Sequence, residues 1–434
     1  MNKEEEYIVS ESPEISVGEQ PWARYIFIAF PALKHRDYQL YFIGQLISLI
    51  GFWIQTVAQG WLVLQLTHSA FWVGFVSGLS SLPILIFALF GGVIVDRFPK
   101  KRVLLFTQTS AMIVALSLGL LTVFNLITLF SICVLALLLG VVSALDMPAR
   151  QAFAIEMVGK KDLSSAIALN SGIFNGARVI GPAIAGFVIA QLGIGGAFLL
   201  NGVSYIAMVI ALWCMRVVEI PSHSHMHPLA AIKEGLVYSF SHNIIRTLLI
   251  FAGAASIFGW SYTAIMPVIA HDIFHTDAAG LGYLYVASGI GALCATVLLS
   301  YFSGRVAPLL FVIGGNMLFA ITTLLFTVTT NFAVACFFLF FAGAGLIMEF
   351  ATINAMIQHS VPNNLRGRVL SIYALMFLGM MPVGSIQIGI LSEYLGPMVA
   401  VQINVGIVLV CGIYLLTKRK ELMRAYTHHG ENIT

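Results

Sequence analysis

Along the chain, long apolar runs alternate with short polar breaks, and each run reaches the about 20 residues that a helix needs to cross a bilayer. The breaks place spans near 38–66, 70–95, 103–124, 127–146, 164–191 and 195–216, and again near 244–270, 278–301, 307–329, 332–357, 369–392 and 397–417. Three polar segments frame these two sets: an N-terminal tail over 1–37, a linker over 217–243 with an amphipathic piece from Leu229 to Phe240, and a C-terminal tail over 418–434. The pattern predicts an all-α polytopic membrane protein with 12 transmembrane helices, divided into six-helix halves over 38–216 and 244–417. The N-terminal tail is acidic (Glu4, Glu5, Glu6, Glu11), the opposite of the basic start of a cleavable signal peptide, so none is expected.

Composition agrees with the pattern. Of 434 residues, 59% are hydrophobic and 9% charged, against roughly a quarter charged in a soluble domain. The net charge of +3 is too mild for a nucleic-acid binder. The basic residues are sorted by topology instead: Arg97, Lys100, Lys101, Arg102, Arg150, Lys160, Lys161, Arg305, Arg366, Arg368 and the Lys418–Lys420 cluster fall at even-numbered loops or termini, and the odd loops hold none. That asymmetry predicts cytoplasmic termini and an even number of spans. The five cysteines lie in apolar runs without metal spacing. His223, His225 and His227 in the linker, and His271 and His275 at the outer end of the seventh span, form no closed ligand set, so no metal and no cofactor is expected. The sequence has neither a phosphate-cradling loop nor a nucleophile, base and orienter set, which argues against ATP coupling and against an enzyme.

The halves also repeat in sequence. A shift of 203 residues superimposes Gly181 on Gly384, Gly186 on Gly389, Leu192 on Leu395, Gly193 on Gly396, Ala197 on Ala400 and Asn201 on Asn404. Parallel repeats of this kind place a substrate site between the halves near the bilayer midplane. The same shift of 203 puts Arg102 on Arg305 and Asp146 on Glu349, which suggests a cation–carboxylate brace in each half, Arg102–Asp146 and Arg305–Glu349, with Arg97, Lys101 or Arg150 able to substitute for Arg102.

The loop after the second span reads Gly92-Val-Ile-Val-Asp96-Arg97-Phe-Pro99-Lys100-Lys101-Arg102 and resembles the GxxxDRxGRR signature of the major facilitator superfamily, with Pro99 at a glycine position. Asp146-Met-Pro-Ala-Arg150-Gln, Asn170-Ser171, Asn175-Gly-Ala-Arg178-Val-Ile-Gly181-Pro182-Ala-Ile-Ala185-Gly186 and Phe198-Leu-Leu-Asn201 are similar to its drug–proton antiporter branch, which includes enterobactin and macrolide exporters. The resemblance runs from about residue 36 to 420 and adds Val361-Pro362 and Arg366-Gly367-Arg368-Val369 in the second half. It implies the major facilitator fold, with Asp96 capping the eleventh span in the outward-open state, and a secondary transporter in the cell inner (plasma) membrane. The expected activity is export of a small amphiphilic molecule, a siderophore or drug-like compound, by alternating access and proton antiport, in a monomer. An importer or lipid transporter of the same fold, or a non-transporting membrane sensor, is the alternative.

Particular residues carry this expectation. Ser171, Asn175, Arg178 and Pro182 form one polar stripe on the fifth span, and Gln45, Ser48, Phe52, Gln55 and Gln59 form another on the first. Either stripe can line a cavity or hold helices together. Arg178 lies mid-span, where an unpaired cation costs at least about 2.5 kcal/mol, so it needs a counter-charge, carbonyls, water or an anionic substrate group. Trp260, Tyr262, Tyr283, Tyr285, Met376, Met380 and Met381 offer aromatic and thioether surface to an amphiphile. Gly181 and Pro182 are expected to break the fifth helix, with Gly186 allowing close packing. Asp96, Arg97, Arg102, Asp146, Arg305 and Glu349 are the candidates for gating or proton coupling, with Asp37 and Asp272 as further carboxylates.

Overall fold

A computed structural model describes residues 27–217, 228–302 and 304–431. His223, His225 and His227 lie outside these residues, as does the side chain of Asp96. Among the described residues ten helices are long and apolar enough to cross a membrane, and one of them, Leu129–Cys214, is 86 residues long. A straight helix of that length would extend about 130 Å, against about 30 Å of bilayer hydrocarbon. The run reverses at Gly159 (φ 67°) and Gly193 (φ 71°), in a left-handed backbone region that glycine enters without a Cβ clash. Those two reversals divide the run into three spans, which brings the described spans to twelve.

In chain order these are α1 (Arg36–Thr67), α2 (Ala70–Arg97), α3 (Lys100–Val123), α4 (129–158), α5 (160–192) and α6 (194–214). The second half holds α7 (Asn243–Ile273), α8 (Ala278–Phe302), α9 (Pro308–Val328), α10 (Phe332–His359), α11 (Leu365–Leu395) and α12 (Pro397–Glu431). The amphipathic piece of the linker is the helix Pro228–Ser241. Local signals set the junctions. His68 ends α1 in the left-handed conformation, and the Ser69 hydroxyl caps α2 by accepting from the Trp72 N–H at 3.4 Å. Asn331 caps α10 through the Ala333 and Val334 N–H groups, at 3.0 and 3.2 Å.

Two expectations need correction. The polar stretch between 146 and 164 is not a loop, because α4 runs on to 158 and α5 begins at 160. Lys160, Lys161 and Arg150 end the apolar run without ending the helix, since long charged side chains are good helix formers. The backbone also stays helical through Gly181 and Pro182, its non-helical residues being Gly159 and Gly193. Proline removes one intrahelical bond there, a loss that neighbouring membrane helices make tolerable.

The halves meet along α2 with α11, α5 with α8, and α1 with α7. Small residues allow these crossings: Gly74 meets Ser385 and Gly389, Gly78 meets Pro382 and Ile386, Gly186 meets Ala279, Gly282 meets the Pro182 carbonyl, and Gly60 meets Pro267. All lie toward the end of the bundle opposite the basic loops. Nearer the basic loops, a Cβ added at Gly172 or Gly176 of α5 would touch nothing within 4 Å. The halves are therefore closed at one end, and toward the basic end they are parted along the Gly172 and Gly176 face of α5, while α2 stays in contact with residues 363–379 at the start of α11.

Candidate functional site

Where the closed and parted regions join, α5 presents Arg178 to the second half. Its guanidinium carbon lies 4.7 Å from the centroid of the Trp260 ring on α7, and the residue is 9% exposed. Among the described residues no carboxylate pairs with it. The aromatic face thus supplies electrostatic attraction to the cation without neutralising it. Behind the indole, Phe377 stands at 5.6 Å and Phe350 at 6.0 Å, both edge-on, and these two rings are 4.2 Å apart. On α7 the helix is interrupted by a π-helical turn, Ala255–Gly259, followed by a 3-10 turn, Trp260–Thr263, and the Ser256 hydroxyl donates to the Phe377 carbonyl at 2.5 Å. Irregular backbone is tolerated at this depth because other groups in the protein satisfy it. Tyr285 on α8 donates to the Thr263 carbonyl at 2.9 Å, and the Tyr262 hydroxyl lies 3.5 Å from that of Ser288. The result is an aromatic and hydroxyl-bearing wall in the second half, faced by one cation from the first.

Other expected cavity residues divide. Ser171 is exposed and Asn175 half-buried on the open side of α5, with the Asn175 amide donating to the Ser171 carbonyl at 2.9 Å. Trp260 and Met380 are half-buried and Tyr262 is 1% exposed. Tyr283 faces outward, 61% exposed. The stripe on α1 turns inward rather than lining open space. Ser48 donates to Gln108 of α3 at 3.4 Å, and Gln55 accepts from Asn201 of α6 at 2.6 Å. Gln45, Ser48 and Gln55 are all buried, and Gln59 reaches Ser80 of α2 at 3.3 Å. Gly181 packs α5 on Ile50 and Trp53 of α1, whereas Gly186 packs it across the halves on Ala279.

Of the two expected braces, the first forms through its Arg150 alternative and the second does not form. Asp146 pairs with Arg150, one turn along the same helix, and accepts from Thr107 and Gln108 of α3 at 2.7 Å each. Arg102 is exposed at the start of α3, five residues and about 8 Å of helix rise short of Thr107. Lys101 instead donates to the Met215 carbonyl at 2.8 Å and ties α3 to the end of α6. Glu349 is fully buried and, among the described residues, accepts only from the Asn316 amide of α9, at 3.2 and 3.3 Å. Arg305 sits exposed outside the bundle, its guanidinium 4.8 Å from the Tyr301 ring centroid. Arg97 is exposed too. Of the remaining carboxylates, Asp37 accepts from the Arg216 N–H at 3.3 Å, and Asp272 bonds His271 at 2.6 Å. Trp61, His271, His275, Thr276 and Asp277 line a pocket of about 390 Å³ at the closed end. No group of three potential ligands able to hold a metal occurs among the described residues.

One contact had no sequence expectation. Glu393, at the end of α11, accepts from the Ser69 hydroxyl and the Phe71 N–H, both at 3.0 Å, and so caps α2 of the other half. Its carboxylate position near a span end was visible, but its partner helix was not.

Residues 28–429 match the family described as transmembrane secretion effector. The chain belongs to this family of the major facilitator superfamily. A staphyloferrin A transporter of Staphylococcus aureus is 29% identical over 401 residues, covering 90% of this chain and 98% of the relative. Enterobactin exporters of Escherichia coli are 22% identical, covering 90% of this chain and 93% of theirs. The fold is shared with a POT family transporter (TM-score 0.74, 10% identity, 90% and 97% covered). It is shared also with an inward-facing bacterial homologue of the lysosomal transporter Spinster (TM-score 0.65, 13% identity, 96% and 98% covered). This member of the secretion effector family is thus a multi-pass membrane transporter.

Proposed function

We propose that the protein exports a small amphiphilic molecule of the siderophore class by alternating access, driven by proton entry, and works as a monomeric transporter rather than an enzyme. The similarity to a staphyloferrin A transporter and to enterobactin exporters supports the substrate class. The sorting of Lys and Arg to one end supports cytoplasmic termini in the inner (plasma) membrane, and makes the parted end of the bundle the cytoplasmic one.

The single observation that carries the substrate reading is Arg178. It is a buried cation that faces the opposite half, rests on Trp260 and has no carboxylate partner among the described residues. An anionic oxygen group entering from the parted end can accept two guanidinium N–H bonds, while Trp260, Phe350 and Phe377 receive the apolar part of the same molecule. Binding would then exchange an aromatic contact for a charge-assisted one and loosen the link between α5 and α7. Arg178→Ala is expected to abolish uptake of staphyloferrin A and enterobactin by inverted vesicles with normal protein levels. Arg178→Lys is expected to be partly active at best, because Lys keeps the charge but not the planar set of donors. Full uptake by the Ala variant would return Arg178 to a packing role.

A further inference from the structure

Glu349 and Asp146 occupy matching places in the two repeats, 349 − 203 = 146, yet their surroundings differ in one decisive way. In each half a side-chain amide from the preceding helix donates to the carboxylate, Gln108 to Asp146 and Asn316 to Glu349. Asp146 then has Arg150 one turn on, whereas the residue one turn on from Glu349 is Ile353, fully buried. A buried carboxylate with its own cation is a stable charge. One that lacks a cation is not, unless it carries a proton.

The amide beside Glu349 completes the picture. Asn316 is 1% exposed, and its Oδ1 has no hydrogen-bond partner among the described residues. That oxygen lies against Gly412 of α12, where an added Cβ would collide with it. An orphan acceptor within reach of a carboxyl group is unfavourable beside a carboxylate but suits a carboxylic acid. A half-turn of the amide about its Cβ–Cγ bond exchanges Nδ2 and Oδ1, so that Oδ1 would face a protonated Glu349. The titratable groups facing Glu349 are Tyr373 of α11, whose hydroxyl is committed to the Phe350 carbonyl at 2.9 Å, and Cys411 of α12. Neither brings a positive charge, and no Lys, Arg or His of the described residues packed around α10, on α7, α8 or α9, pairs with it.

We infer that Glu349 is the proton-binding group of the transporter and Asn316 the receptor for its acidic hydrogen, while Asp146 is a permanent structural charge. This rests on the proton-driven reading above. Binding forms one O–H bond between a Glu349 carboxylate oxygen and a proton from the outer aqueous phase, and the O–H donates to Asn316 Oδ1. Release returns that proton to water at the cytoplasmic end. The ionised form needs water or a cation that the packed groups do not offer, so release requires α9, α10 and α12 to separate. Phe350, next in sequence, touches Trp260, so movement of α10 reaches the Arg178 contact directly.

The test is infrared difference spectroscopy of the full-length protein in bilayers across a pH titration. Wild type should show a protonated-carboxyl C=O band that disappears as pH rises. Glu349→Gln should lack it, and Asn316→Leu, which removes the acceptor, should keep the band but move it to higher frequency. A spectrum of Glu349→Gln identical to wild type, or an unmoved band in Asn316→Leu, overturns the assignment. Transport separates this from the broader reading: Glu349→Gln should still exchange staphyloferrin A or enterobactin across vesicles without a gradient, but lose accumulation driven by one. Undiminished accumulation by the variant also overturns it. Failure of wild type itself to move either siderophore counts against the transport reading, and leaves the infrared comparison to decide the proton site.

Discussion

Polar side chains within the bundle divide according to whether another polar group lies within reach. Asn404 donates to Ser261 of α7 and to Gln387 of α11, both at 3.1 Å, and accepts from Gln387 at 2.9 Å. Its repeat counterpart Asn201 donates to Gln55 of α1. Each asparagine therefore ties the last helix of its half to the first, and in the first half Gln55 is the α1 amide that takes part. Asn404→Ala should lower stability by about 1–2 kcal/mol, read by thermal unfolding in detergent, and leave substrate selectivity unchanged. An unchanged melting temperature would count against this role. Arg178 was legible in the sequence because a mid-span cation is rare. Trp260 as its partner was not, since periodicity gives the face of a helix and never the helix opposite. The same limit explains why Ser48 and Gln55 read equally well as cavity lining and as interhelical contacts.

At the scale of elements, the pair α2 and α11 runs antiparallel and bears a carboxylate at the C-terminal end of each helix, Asp96 and Glu393. Glu393 caps the start of α2 at the closed end. The N–H groups exposed there carry partial positive charge, which favours an anion from the opposite half. Glu393→Gln should weaken that cap, and Glu393→Lys should reverse it, so labelling of a cysteine placed at Thr67 by a membrane-impermeant reagent from the outer face should rise from wild type to Gln to Lys. Equal labelling in all three would remove Glu393 from the gate. Helix boundaries show how far hydropathy reaches. It located every apolar span, but it ended α4 at 146 and α12 at 417, whereas these helices continue to 158 and Glu431. Leaving the hydrocarbon and ending a helix are separate events, and only Gly159 of these positions supplies a backbone stop. A bulky residue at Gly186, such as Gly186→Leu, should hold the closed end apart, because Ala279 already fills that side. Loss of transport together with greater outer-face labelling is the expected outcome.

The whole molecule is two copies of one design that have diverged in charge. Gly193 and Gly396, 203 residues apart, both adopt positive φ, 71° and 85°, and turn the chain between the last two spans of each half. That symmetry, the one-sided basic residues and the twelve spans were all present in the sequence, because they depend on chain-wide patterns. What was not legible is the asymmetry of the two surroundings: a cation-paired Asp146 in one half and, among the described residues, a Glu349 without a cation in the other. Under the proposed function, entry of a proton drives the siderophore outward. Inverted vesicles loaded with a pH-sensitive dye test it directly. With an acidic lumen, addition of staphyloferrin A or enterobactin should raise lumenal pH while the siderophore accumulates, and collapsing the gradient should stop both. Accumulation that continues with the gradient collapsed, or that stops only when sodium is withdrawn, would contradict it.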